Sequence, residues 1–142
     1  MDKLLVSACL LGAPCRYDGK SKPLDGIEHL RKQYELVPVC PECEGGLPTP
    51  RTPSERCGER VITQDGTDVT AQYQAGADAA LARYQREGCV AALLKDRSPS
   101  CGSGGIYDGT FSHTLTARDG VTAELLKKHG CRVFGESEFD ML

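Results

Sequence analysis

Cys89-Val90-Ala91-Ala92-Leu93-Leu94, running into Lys95-Asp96-Arg97-Ser98-Pro99-Ser100-Cys101-Gly102-Ser103-Gly104-Gly105, decides how the chain reads. The first part is short and apolar, which predicts a buried strand of a parallel sheet. The second part holds no bulky apolar side chain. It predicts a rigid, polar, backbone-exposing loop that stays out of the packed core. Such a loop at the end of a strand is where α/β proteins carry their chemistry.

Strand signals repeat on either side of this segment. Lys3 to Ala8 is a second apolar run, and it ends in a loop that carries Cys9 and Cys15 and is broken by Gly12 and Pro14. Glu35 to Val39 is a third, with Pro38 marking it as an edge strand or a strand end. It leads into Cys40-Pro41-Glu42-Cys43 and a stretch to Pro53 so rich in Pro and Gly that no regular structure is expected. Glu59 to Ile62 reads as a short strand. Cys131 to Phe134 reads as the last, followed by a frayed acidic end. Between the strands, helices are expected from about Pro23 to Tyr34, from Ala71 to Glu87 and from Asp119 to His129. The middle helix shows a stripe of Tyr73, Ala77, Ala80, Leu81 and Tyr84, and Gly88 closes it.

The order β-α-β-α-β-α-β predicts a single α/β domain over residues 1–142. Its parallel sheet is Rossmann-like, with helices on both faces and right-handed crossovers. Cys9, Cys15, Cys40, Cys43 and Cys101 then all lie just past strand C-termini, which share one edge of such a sheet. Three distant segments bring thiols to one crevice, where open α/β sheets bind ligands. Cys89 and Cys131 begin strands and belong to the core or the opposite edge. Cys57 sits in a polar segment without a role.

Composition narrows the chemistry. Net charge is -3, Trp is absent and aromatics make up 6% of the 142 residues, which counts against a long nucleic acid as partner. No run approaches a membrane span, and the N-terminus lacks a signal-peptide pattern, so a cytoplasmic location is expected. Eight cysteines in such a chain point to metal or thiol chemistry rather than disulfides. Arg16 beside Cys15 is expected to favour its thiolate.

Cys9, Cys40 and Cys101 are the candidate metal ligands, and Cys15 is a further one. Soft thiolates suit zinc or an iron–sulfur cluster, and spacing alone does not choose between them. Glu42 stands two positions from Cys40, where an acid can move protons. Ser98 and Ser100 flank Cys101 with hydroxyls. Lys95 and Arg97 are candidates for binding an anion or polarising a carbonyl. Gly102, Gly104 and Gly105 suggest backbone N–H groups turned to a ligand.

Three blocks resemble a known family. They are Cys9-Leu10-Leu11-Gly12-x-x-Cys15-Arg16-Tyr17-Asp18-Gly19, Cys40-Pro41-Glu42-x-x-Gly45-Gly46-Leu47-Pro48-Thr49-Pro50-Arg51 and Ser98-Pro99-Ser100-Cys101-Gly102. Together with Asp68-Val69-Thr70, Gly109-Thr110-Phe111 and Asp119-Gly120-Val121-Thr122, they are similar to a bacterial domain-of-unknown-function family whose characterised members are thiouracil desulfidases. Arg118 stands where that pattern has glycine. The resemblance implies a [4Fe–4S] cluster on Cys9, Cys40 and Cys101, with one iron open to the sulfur of a small thiobase. It implies Glu42 and Ser98 as catalytic residues and a non-redox exchange of C=S for C=O. Two alternatives stand beside it. One is a non-catalytic zinc or thiol-redox module on Cys9, Cys15, Cys40 and Cys43. The other is an accessory domain acting on thiolated tRNA.

Overall fold

The computed structural model describes residues Met1–Leu142. β1 (Asp2–Ser7) alternates across the sheet: Leu4 and Val6 face one layer, Leu5 the other, and all three are fully buried. A strand buried on both faces belongs in the middle of a covered parallel sheet. A 3-10 turn (Ala8–Leu11) follows it, then α1 (Ile27–Arg31), β2 (Tyr34–Val39), α2 (Pro41–Glu44), β3 (Ser54–Cys57) and β4 (Arg60–Thr63). The rest is α3 (Thr70–Glu87), β5 (Ala91–Leu94), β6 (Ile106–Tyr107), β7 (Leu115–Thr116), α4 (Val121–Lys128), β8 (Val133–Gly135) and a final 3-10 segment (Glu136–Met141).

Four strands form the main sheet in the order β2-β1-β5-β8, all parallel. The register sets Leu4 beside Leu36 and Ala91, and Leu93 beside Phe134. The chain steps outward from β1 to β2, then crosses back to β5 and on to β8. The direction reverses between β1 and β5, and an open parallel sheet leaves a crevice at the carboxyl edge of that point.

The expected layers are present. On one face α3 and α4 pack Ala80, Ala123 and Leu126 against Leu5, Ala92 and Leu94. On the other, α1 and the two 3-10 segments pack Leu10, Leu30 and Phe139 against Leu4, Val6, Leu93 and Phe134. α3 ends at Gly88, whose φ of 67° is the left-handed cap that glycine adopts freely. β2 is an edge strand, which accommodates Pro38. Cys89 is buried on the helical face and Cys131 packs beside it, away from the carboxyl edge.

Three expectations are corrected. The Pro-rich segment after Cys40 contains a turn of helix, α2, because Pro41 at its first position needs no N–H there and presets φ. β4 is half of an antiparallel hairpin with β3, which polar Ser54-Glu55-Arg56-Cys57 did not announce. Buried Arg56 ties that hairpin to α4, donating to the Asp119 carbonyl at 2.9 Å and to Glu124 at 2.8 Å. The acidic end is not frayed: Phe139 docks into the core, and Lys95 holds Glu136 at 2.5 Å.

Candidate active site

The carboxyl ends of β1, β2 and β5 open into one cavity of about 620 Å³. Each end delivers a thiol. Cys9 comes from the turn after β1, Cys40 caps the N-terminus of α2 after β2, and Cys101 comes from the loop after β5. Cys15, Glu42 and Ser98 line the same space. Cys43 is set just behind, its Sγ 3.9 Å from the Cys15 carbonyl and 3.4 Å from Thr49 Oγ1. Cys57 stands apart at the end of β3, 3.5 Å from the Gly109 carbonyl.

The loop after β5 is more buried than its polarity suggested. Ser100, Cys101 and Gly102 are buried, and Cys101 belongs to the core. Backbone packing achieves this: a Cβ at Gly120 would collide with Ser100, and one at Gly102 with Ile106 and the Ser98 carbonyl. The Ser100 hydroxyl is satisfied by Thr122 Oγ1 at 2.7 Å. Two glycine N–H groups are used inside the protein, since Gly102 donates to the Ser98 carbonyl at 2.9 Å and Gly104 to Asp119 at 2.7 Å. They are not turned to a ligand. Lys95 is likewise committed to Glu136.

Ser98 is the hub of this loop. Its Oγ accepts from the backbone N–H of Ser100 at 3.0 Å and of Cys101 at 3.1 Å, and donates to Glu42 Oε1 at 3.1 Å. The hydroxyl proton is thereby directed at the carboxylate, because both N–H groups need an acceptor. The other carboxylate oxygen, Oε2, takes two bonds from Arg51, from Nε at 2.9 Å and Nη2 at 2.6 Å. Arg51 also donates to the carbonyls of Cys15 at 3.0 Å and Pro48 at 3.1 Å and to Thr49 Oγ1 at 3.0 Å. Its side chain is 7% exposed and that of Glu42 15%. The result is an acid locked in orientation between a guanidinium and a hydroxyl.

α2 is positioned by main-chain contact with α3. A Cβ at Gly45 would overlap the Gln72 carbonyl, and one at Gly76 the Pro41 carbonyl. Arg83 adds an ion pair to Glu44 and a bond to the Pro38 carbonyl at 2.8 Å. This crossing carries Cys40 and Glu42 to the cavity together.

Burial and thiol neighbours favour the protonated form of Cys15, Cys40 and Cys101. Burial pushes the Cys101 thiol up to about 12, and the Ser7 hydroxyl offsets only part of that. The Cys15 side chain and burial push Cys40 up further. At Cys15, contact with Cys40 pulls the value down, but contact with Cys9 and burial outweigh it, giving about 11. The expected help from Arg16 is not seen, as its guanidinium is turned to Asp18 at 3.8 Å. Several soft thiols on one cavity wall have the chemistry of a donor set for a thiolate-bound cluster.

Three residues of the site escaped the sequence reading. Arg51 closes the second block of the resemblance, nine positions from Glu42, but no role is assigned to it there. Ser7 was read as strand, yet its Oγ accepts from the Lys95 N–H at 2.9 Å and ties the ends of β1 and β5 together. Tyr73 was read as a core residue of α3. It is 2% exposed and lines the cavity, and burial, then the Glu42 charge, push its phenol up.

Known proteins resemble this chain over nearly its whole length. Residues 4–138 match the family model described as 2-thiouracil desulfurase. The chain is 42% identical over 147 residues to the uncharacterised protein YbbK of Bacillus subtilis strain 168, covering 96% of this chain and 97% of that one. It also superimposes on a solved structure described as the [4Fe–4S]-dependent thiouracil desulfidase TudS. The TM-score is 0.95 and the identity 48%, over 100% of this chain and 95% of that one.

Proposed function

The chain belongs to the 2-thiouracil desulfurase family, and from that premise we propose that it is a [4Fe–4S]-dependent desulfidase that converts a thiobase to the oxo base and sulfide. The observation that carries the reading is the Ser98–Glu42–Arg51 chain set in the same cavity as Cys9, Cys40 and Cys101. Residues 1–142 would form one desulfidase domain.

Cys9, Cys40 and Cys101 would hold the cluster, one thiolate from each strand end. When bound by three thiolates, the cluster supplies an iron with an open position and an affinity for soft sulfur. The remaining chemistry belongs to this chain. Glu42 takes a proton from the water that attacks the thiocarbonyl carbon, and returns one as sulfide leaves. Arg51 keeps its carboxylate aimed. Ser98 fixes the second oxygen through its hydroxyl. The balance is hydrolytic: a C=S bond and water become a C=O bond and hydrogen sulfide, with no net electron transfer.

All eight cysteines are free, and no helix is long and apolar enough to cross a membrane. Free thiols together with a thiolate-bound cluster suit a reducing compartment, so we place the enzyme in the cytoplasm. The test is anaerobic reconstitution followed by assay of sulfide release from 4-thiouracil. Release in proportion to cluster content is expected. No release from any thiobase by fully loaded protein would overturn the reading.

A further inference from the structure

The chain has five Tyr, three Phe and no Trp. Half of these rings, Tyr17, Tyr73, Tyr107 and Phe111, line the one cavity, and the His113 imidazole joins them. Three of the rings come from one hairpin, Tyr107 at the end of β6 and Phe111 and His113 in the loop that leads to β7. Tyr107 and His113 meet edge to face, 5.5 Å between ring centres. Phe111 lies between them in sequence and is half-buried.

The loop is held in a conformation it would not choose. Phe111 has φ of 57° and His113 φ of 59°, left-handed values that side chains other than Gly rarely adopt. Such backbone persists only where its surroundings over-determine it. Here the surroundings are identifiable. Glu55 of β3 is 7% exposed, and its Oε1 accepts from the N–H of Gly109 at 2.9 Å and of Phe111 at 3.1 Å. The loop then ties its own surface, with Thr110 bonded to Asp108 and Ser112, and Ser112 to Thr114. A buried carboxylate spent on two loop N–H groups fixes where the Phe111 ring stands. The thiols and the Ser98–Glu42 pair line other parts of the same cavity.

We propose that this loop is the ring-binding wall of the site: Phe111, flanked by Tyr107 and His113, stacks on the face of a planar heteroaromatic thione. Glu55 is its positioning residue. The inference rests on the desulfidase reading and deepens it, since it selects ring-borne thiocarbonyls over acyclic thioamides. Stacking is tolerant of ring substituents because every base has a π-face, and what it demands is flatness.

The test uses anaerobically loaded enzyme with Phe111→Ala, Phe111→Leu and Phe111→Tyr. For 4-thiouracil, Phe111→Ala should raise KM about tenfold or more, equivalent to about 1.4 kcal/mol. Its kcat should stay within about threefold, with iron and sulfide content unchanged. The Kd for uracil, read by titration calorimetry, should weaken by a similar factor, because the product is as flat as the substrate. Phe111→Tyr should restore both constants. Phe111→Leu keeps apolar bulk and serves if alanine unfolds the loop, with a smaller rise expected. An active wild type whose Phe111→Ala and Phe111→Leu forms keep KM and the uracil Kd would overturn the wall and leave the desulfidase reading standing. A loaded wild type inactive on every thiobase would overturn the desulfidase reading, which the Phe111 variants do not address.

Discussion

Replacing Arg51 by Met keeps the length and apolar stem of the side chain and removes the guanidinium. Two charge-assisted bonds to Glu42 Oε2 are lost, along with those to the Cys15 and Pro48 carbonyls and to Thr49. A hydrogen bond to a charged group contributes about 1.5–3 kcal/mol. The two bonds share one acceptor oxygen, so they amount to about 3 kcal/mol of orientation rather than twice that. If this orientation serves the transition state, kcat falls about 100-fold, since 1.36 kcal/mol is a factor of ten. KM should move less than about threefold, because Arg51 is aimed at the acid and not at the open cavity. Arg51→Lys should fall between, because one ammonium cannot reproduce a planar fork. The assay is steady-state sulfide release from 4-thiouracil, normalised to iron content. Guanidinium chloride at low millimolar concentration should restore part of the rate of an Arg51→Ala protein. An Arg51→Met enzyme with wild-type kcat at equal cluster loading would refute the argument that the pair positions the acid.

Other outcomes follow from the same geometry. Cys101→Ala should leave iron and sulfide at background on anaerobic reconstitution. Cys89→Ala, on the opposite side of the sheet's ends, should load normally and cost only about 1 kcal/mol of stability for the small apolar group removed. Cys15→Ala should retain wild-type iron content; loss equal to that of Cys101→Ala would mean four ligands and no open iron. Tyr84 gives a pH signature: burial, then the neighbouring Cys131 and Cys89, push its phenol up to about 12 from 10.0. The fold holds the neutral form, so this stabilisation is complete below pH 10 and is lost as pH rises toward 12. Melting curves at pH 9.5 and 11.5 should therefore diverge more for the wild type than for Tyr84→Phe.

The thiol set was legible because strand order does most of the work. Once Leu4 to Val6 and Ala91 to Leu94 read as buried parallel strands, Cys9 and Cys101 had to share an edge. The long stripe of α3 was legible for the same reason: side chains carried the signal. What stayed hidden was settled by backbone. The loop around Ser100 is buried through the close approach of Gly120, not through apolar side chains, so its composition suggested exposure. Arg51 reaches Glu42 because a Pro-built loop folds back on α2, and no periodicity encodes that return. Glu55 carries no signal in a short polar segment, and only the loop it clamps reveals why it is buried.

The crossing of α2 over α3 has a further consequence. Where Gly45 meets Gln72 and Gly76 meets Pro41, two main chains touch and no side chain intervenes. Side-chain interfaces yield gradually: a larger residue shifts its neighbours, a smaller one leaves slack, and a lineage can drift through the intermediates. A contact between bare backbones has no such intermediates. Adding a single methyl group at position 45 or 76 would lift α2 off α3 and carry Cys40 and Glu42 with it, so acid and thiol leave the cavity as one unit. The spacing of the reactive groups is therefore inherited all or nothing, and these two glycines, which bear no reactive group themselves, act as its gauge.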